Sequence, residues 1–202
     1  MASEPLRTPG MVEFAQCRGQ VAVIRLVGRC SFQNSAYLQK AAEVCERELG
    51  PCSFVLDLDR CESMDSTFLG VLAGIALRQR QVGQSNLIAV NVSPRLRRSM
   101  SLLGLTHVLD LRDRQPDGQA VQQVEVGESD RIAMSRAEQV AHMIQAHHRL
   151  IELDSGNEIR FDDVMKYLEE SLSRAREIEQ KQDNGAGHLH PSTNSQPNSK
   201  PR

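Results

Sequence analysis

The chain has 202 residues, a formal net charge of −2 at pH 7, no tryptophan, and only 3% aromatic residues. That length suits one ordinary domain plus an appendage, and the composition offers neither a broad field for nucleic acid nor the stacking platforms of RNA-binding sheets. Five cysteines at 17, 30, 45, 52 and 61 show no C-x-x-C pair and no zinc spacing, and no apolar run is long enough to span a bilayer, so the expected setting is reduced, cytoplasmic and without membrane insertion.

Residues 1–10 carry two prolines and no periodicity, and read as a loose leader. Two strand-like runs between Met11 and Leu26 flank Gly19-Gln20, a pair suited to a two-residue hairpin turn with glycine first. In the second run Val21, Val23 and Arg25 alternate with Ala22, Ile24 and Leu26, and apolar residues on both faces predict a central strand. A polar loop is predicted from Arg29 to Ser35. A helix follows to Leu49, with Leu38, Ala41, Ala42, Cys45 and Leu49 inward and Gly50-Pro51 as its stop.

The stretch from Cys52 to Gln81 reads as strand, short polar loop, helix: CSFVLDLD, RCESM, DSTFLGVLAGIALRQRQ. Phe54, Leu56 and Leu58 alternate with Val55, Asp57 and Asp59, a half-buried strand that turns polar at its end. Asp65, Ser66 and Thr67 stand at the helix start, where capping residues belong. Phe68, Val71, Leu72, Ile75 and Gln79 then recur at helical spacing as one inward face, and Gly83 is the stop. Two hydroxyls and a carboxylate therefore sit on a strand-to-helix turn.

Leu87 to Val92 is a further buried strand, and Ser93-Pro94 opens a helix with Leu96, Met100 and Leu103 inward, closed by Gly104. Arg95, Arg97 and Arg98 make a small basic cluster that reads as a solvated helix face. Val108 to Leu111 is a last short strand. An opening hairpin followed by alternating strands and helices predicts an α/β fold with a mixed sheet and flanking helices. The turn before Asp65 lies beyond the carboxyl end of a strand, where open α/β sheets place their binding surface.

Residues 116–130 read as a polar linker, and 131–180 as an αα-hairpin extension. Its first helix carries Val140, Met143, Ile144, His147, Leu150 and Ile151 on one face; its second carries Phe161, Val164, Met165, Leu168, Leu172 and Ala175, opened by Ser155 and Glu158 in capping-box spacing. The hairpin is expected to be a unit the sheet part does not need, either docking on it or pairing between chains as a homo-oligomer. Residues 181–202 lack apolar content and are expected to be disordered.

No phosphate-binding loop, zinc-protease motif or nucleophile elbow occurs, and no histidine has cysteine or carboxylate neighbours at ligand spacing. Neither catalysis, nor a metal, nor a cofactor is expected. A serine–histidine assembly would form only in space, and nothing in the order of residues selects one.

The segment MDSTFLGVL resembles the D-S-S/T-G-L/I/V-G segment of STAS domains, a family that includes bacterial anti-sigma factor antagonists and sulfate-transporter tails. The resemblance continues in VAVIRLVGR and LIAVNVSPRLRRSMSLLGLTHVLDL, so it spans about residues 11–115. It implies a STAS-like mixed sheet. It also implies a serine phosphorylated by an anti-sigma factor kinase directly after the aspartate, which is Ser66 here, with Thr67 as the alternative acceptor. Asp65, Ser66, Thr67 and Phe68 would meet that protein partner, together with Arg29 and Ser31 from the preceding loop. Two positions depart from the pattern: Phe68 stands where the family has glycine, and the Arg29–Ser31 loop lacks the family's acidic residue.

The function implied is an anti-sigma factor antagonist switched by serine phosphorylation. A phosphate adds about −1.5 to −2 charges beside Asp65, and a penalty of even about 3 kcal/mol at a packed interface is roughly a hundredfold in affinity. The rivals are a non-phosphorylated STAS subunit docking on the ATPase of an ABC-type lipid transporter, and a scaffold that self-assembles through the hairpin.

Overall fold

The computed structural model describes residues 10–16, 21–50, 52–83, 86–113 and 132–186. The leader, the Gly19-Gln20 turn, the 116–130 linker and the end of the tail lie outside these described residues.

Strand β1 (Met11–Gln16) pairs antiparallel with β2 (Val21–Cys30), and β2, β3 (Ser53–Asp57), β5 (Leu87–Val90) and β6 (Leu109–Arg112) then run parallel in the order β1-β2-β3-β5-β6. The sheet is mixed, as the alternation of elements predicts. The RCESM stretch departs from the expected loop: β4 (Cys61–Met64) pairs parallel with the far end of β2, Gly28 with Cys61 and Cys30 with Met64. A register shift between Gly28 and Arg29 makes this possible, with Gly28 at φ 67 and its N–H donating to Arg60. Such a bulge bends the strand, so β2 serves β3 with one half and β4 with the other. The expected loop at Arg29–Ser35 shrinks accordingly, because β2 runs to Cys30 and helix α1 (Phe32–Leu49) starts directly after Ser31.

Strand alternation sorts the two sheet faces. Ala22, Ile24, Leu26, Phe54, Leu56, Leu87 and Ala89 face the main core, which α1, α2 (Ser66–Gln81) and α3 (Pro94–Leu102) cover with Leu38, Phe68, Leu72, Ile75, Leu96 and Met100. Val23, Val55 and Val90 form a smaller cluster on the opposite face, alongside the Arg25–Asp57 ion pair at 3.1 Å. Helix α3 opens on Ser93 and Pro94 as predicted, and Gly104 follows it at φ 78. There a Cβ would lie 2.8 Å from that of Asp154, so glycine is needed for both conformation and space.

Helices α4 (Arg136–Leu153) and α5 (Gly156–Ala186) form the expected αα-hairpin, with two differences. α4 begins at a capping box of Ser135 and Glu138, while the start of α5 is held by the Asp154 side chain, which accepts from Gly156 N–H. α5 continues to Ala186, six residues into the stretch expected to lack structure; Lys181 and Gln182, good helix formers, extend it beyond the last predicted turn.

The hairpin docks on α2 within the same chain. Ala146, Leu150, Phe161 and Met165 belong to the main core, so the apolar stripe that a second copy would need is already covered. What stays exposed on α5 is Ile159, Val164, Tyr167 and Ile178; Val164, read from the sequence as part of the inward stripe, lies at its edge and faces solvent. At the hinge of the hairpin, fully buried Asn157 donates to the carbonyls of Leu103 (3.1 Å) and Leu150 (2.8 Å), and its own carbonyl accepts from Arg160.

Asn157→Ala leaves two buried carbonyls short of a donor and is expected to cost about 1–3 kcal/mol. A urea titration followed by circular dichroism checks this as a lowered midpoint at unchanged slope.

Candidate functional site

Asp65 leaves β4 in extended conformation (φ −85, ψ 172) and caps α2: its Oδ1 accepts from Phe68 N–H at 2.8 Å. Its other oxygen, Oδ2, accepts from Phe32 N–H, also at 2.8 Å, in the first turn of α1. One carboxylate therefore satisfies orphan amides of two helices and sits in the positive field of both N-termini. The Asp65 backbone N–H completes the junction by donating to the Cys30 carbonyl at 3.1 Å, which fixes the turn to the end of β2.

Ser31 and Asn34 make a reciprocal capping box on α1, with Ser31 N–H donating to Asn34 Oδ1 at 2.9 Å. Ser31 is thus committed to its helix. Arg29, one residue beyond the bulge, is exposed on β2. Under the turn, Cys30 and Cys61 lie with their sulfurs 4.0 Å apart. The hydrogen bond shared with Cys61, in which Cys30 keeps its proton, and then burial push the Cys30 thiol up, so it is no ready nucleophile.

Ser66 is the first residue of α2 and is half-buried. Its Oγ is 2.9 Å from Nε2 of His147, on α4. The other ring nitrogen, Nδ1, lies 2.8 Å from the Met143 carbonyl, which can only accept. In the neutral ring Nδ1 must carry the proton, Nε2 is then the acceptor, and the Ser66 hydroxyl donates. His147 is 3% exposed, and its ring meets the Phe161 ring edge-on at 4.9 Å between centroids.

A second serine–histidine contact binds the same helix to α1: Ser35 Oγ lies 2.9 Å from His142 Nε2. Ser35 donates its own proton to the Phe32 carbonyl at 3.1 Å, so here the histidine is the donor. Burial pushes His142 below the ordinary histidine range, in keeping with that neutral form.

α4 reaches these hydroxyls because α2 offers it a seat of small residues. Ser66, Gly70, Ala73 and Leu77 recur along one helical line, opposite the inward face of Phe68, Leu72 and Ile75. A Cβ on Gly70 would lie 2.2 Å from the Ala146 carbonyl oxygen, so the two backbones touch where only glycine fits. This second buried face of α2 has signals in the chain, the glycines at 70 and 74 and the S-x-x-E of Ser135–Glu138, but their low hydrophobicity hides them from a periodicity reading.

Of the predicted site residues, the structure brings Asp65, Ser66 and Ser31 together at one end of the sheet, with Arg29 adjoining. Thr67 is 5% exposed and Phe68 not at all, so neither offers surface to a partner. Phe68 sends its ring into the main core and leaves the Asp65 cap intact. His147 and His142 complete the site and escaped the sequence reading, since they lie far along the chain on a different element. Among the described residues no cluster of three or more His, Cys, Asp or Glu side chains could hold a metal, and no helix is long and apolar enough to cross a membrane.

Residues 15–117 match the family model of the STAS domain. Among solved structures, the chain is similar to the anti-sigma factor antagonist SpoIIAA in its unphosphorylated form, with 18% identity and a TM-score of 0.45 over 52% of this chain and 90% of that one. It is also similar to the Bacillus cell fate determinant SpoIIAA in its phosphorylated form (19%, TM-score 0.43, 50% and 90%). A third is an anti-sigma factor antagonist from Mycobacterium paratuberculosis (22%, TM-score 0.44, 54% and 92%).

Two expectations follow from the geometry. Asp65→Ala frees amides on two helices at once and is expected to cost about 2–3 kcal/mol, more than an ordinary single cap; thermal unfolding of the two proteins checks it. The depressed His142 makes the unfolded chain the stronger proton binder just below the ordinary value of 6.5, so stability held above that pH is lost as pH falls through the folded value. Urea midpoints measured down a pH series should drop on the acid side, and the drop should shrink in His142→Gln.

Proposed function

Because the chain belongs to the STAS domain family, we propose that it is a regulatory binding module of the anti-sigma factor antagonist kind, switched by phosphorylation of Ser66. The observation that carries this reading is the placement of Ser66: it is the half-buried first residue of α2, directly after the Asp65 cap, beyond the end of β4. Of the two candidate hydroxyls it is the one with an exposed side, since Thr67 is buried.

The partner is an anti-sigma factor that is also a serine kinase, acting in the cytoplasm and supplying the nucleotide; the chain itself contributes a hydroxyl and a surface. That surface is the end of the sheet where Arg29, Ser31, Asp65 and Ser66 adjoin. A phosphate there is tolerated by the helix N-terminus, while a partner packed on the turn would have to desolvate a dianion beside Asp65. In functional terms, residues 11–115 carry the switch and residues 131–180 cover it.

A second reading is a constitutive docking module, such as the STAS subunit of an ABC-type lipid transporter. It draws on a specific feature: the Ser66 hydroxyl is already engaged by His147. In that case Ser66 is the polar anchor of α4 and carries no phosphate.

Intact-mass analysis after incubation with the cognate kinase and ATP separates the two. Wild type and Thr67→Ala are expected to gain one phosphate, and Ser66→Ala none. Phosphate on Ser66→Ala would move the switch elsewhere, and no phosphate on any form would leave the docking module.

A further inference from the structure

We propose that a phosphate on Ser66 and the docked position of α4 exclude one another, so that phosphorylation releases the helical hairpin from α2. The inference rests on the reading of Ser66 as a phosphate acceptor and specifies how that event is transmitted.

Phosphorylation inverts the hydrogen-bonding character of Ser66. Its Oγ attacks the γ-phosphorus of a nucleoside triphosphate; the O–P bond forms, the bond from that phosphorus to the bridging oxygen breaks, and the nucleoside diphosphate leaves. The hydroxyl proton passes to a base of the kinase or to water. What remains on Ser66 is an ester oxygen without hydrogen and three acceptor oxygens.

His147 Nε2 is itself an acceptor, because Nδ1 spends its proton on the Met143 carbonyl. With the ring neutral, the Ser66–His147 hydrogen bond therefore does not survive the reaction. Nor is there room: Oγ and Nε2 are 2.9 Å apart, and a phosphoryl group cannot stand between them. Turning Ser66 toward solvent accommodates the phosphate but leaves a histidine that is 3% exposed without its donor.

The remaining contacts make the response a release of the helix, with no intermediate adjustment. Beside His147 the seat is backbone on backbone, Gly70 against Ala146, which leaves no play for a small shift. At the far end, by contrast, the hairpin is tied to the α3 region by polar bonds independent of Ser66. Asn157 donates to the Leu103 carbonyl and Arg160 to the Leu102 carbonyl. The hairpin is built as a lever: anchored near Asp154–Arg160, and held toward its other end by packing and by the Ser66–His147 and Ser35–His142 contacts, of which phosphorylation removes the first and sets a bulky dianion in its place.

The test is hydrogen–deuterium exchange on the full chain with phosphoserine installed at position 66 during translation, compared with wild type, Ser66→Ala and Gly70→Val. Amides of Val140–Leu150 are expected to exchange at least ~10-fold faster in the phosphoserine protein, equivalent to about 1.4 kcal/mol of opening free energy. Those of Ile24–Leu26 and Phe54–Leu56 should keep their protection. Gly70→Val, which clashes with α4 and leaves the hydroxyl intact, should reproduce the acceleration, and Ser66→Ala should show less of it. Unchanged α4 exchange in the phosphoserine protein overturns the inference. So does parallel loss of protection in the two strands, which would mean general unfolding, or an equal effect of Ser66→Ala, which would mean that the phosphate is not the trigger. No kinase is used, so a Ser66 that no kinase modifies removes the phosphorylation reading and leaves this coupling to be decided by the exchange rates.

Discussion

From Thr67 to Ala76, helix α2 has no face open to water, and the rest of the molecule is arranged around that constraint. Phe68, Leu72 and Ile75 are buried toward the sheet, while Gly70, Ala73 and Gly74 are buried on the opposite side, toward α4. A helix apolar on every side is stable only when packed on every side. The sheet supplies one wall, and the C-terminal hairpin supplies the other. The second wall works by proximity: with glycine at position 70, two backbones approach until dispersion contacts replace the missing side chains. The hairpin is thereby bound into the main core through Ala146, Leu150, Phe161 and Met165.

Burying α2 on both sides creates a polar difficulty at its N-terminus, where amides lack intrahelical partners. Asp65 meets part of it at Phe68 N–H, and meets the same need on α1 with its second oxygen. The two helix starts and the end of β2 are consequently locked into one junction, and Ser66 is presented from a rigid base. On the proposed reading this rigidity matters, because a switch residue whose surroundings could relax would transmit little.

The Ser66–His147 and Ser35–His142 contacts are the polar seams of the α4 interface, and they run in opposite directions. At Ser35 the histidine donates and the serine spends its proton locally; at Ser66 the serine donates. Only the second depends on a serine proton, so only the second is sensitive to the fate of that hydroxyl. His147 is oriented by a carbonyl and shielded by Phe161, and its hydrogen bonds among the described residues go to a hydroxyl and a carbonyl.

Local chemistry alone was enough to read much of this protein from its residues. Alternation along Val21–Leu26 and Phe54–Leu58 predicts which residues face which core, Ser93-Pro94 and Gly104 mark the limits of α3, and Asp65 announces the start of α2. These are short-range effects of rotamer, cap and period, and they act through residues next to one another. Three features depended on residues far apart in the chain. RCESM is polar and short, and becomes β4 only because a bulge at Gly28 bends β2 out to meet it. The outer face of α2 consists of glycine and alanine, which carry almost no hydrophobic signal until another backbone is laid against them. His147 reads as one more member of an amphipathic stripe, and acquires a role only when α4 sets it against a hydroxyl 81 positions earlier. Periodicity records how a segment faces a core; it holds no record of which segment arrives on the other side, and that pairing is where the site of this protein was decided.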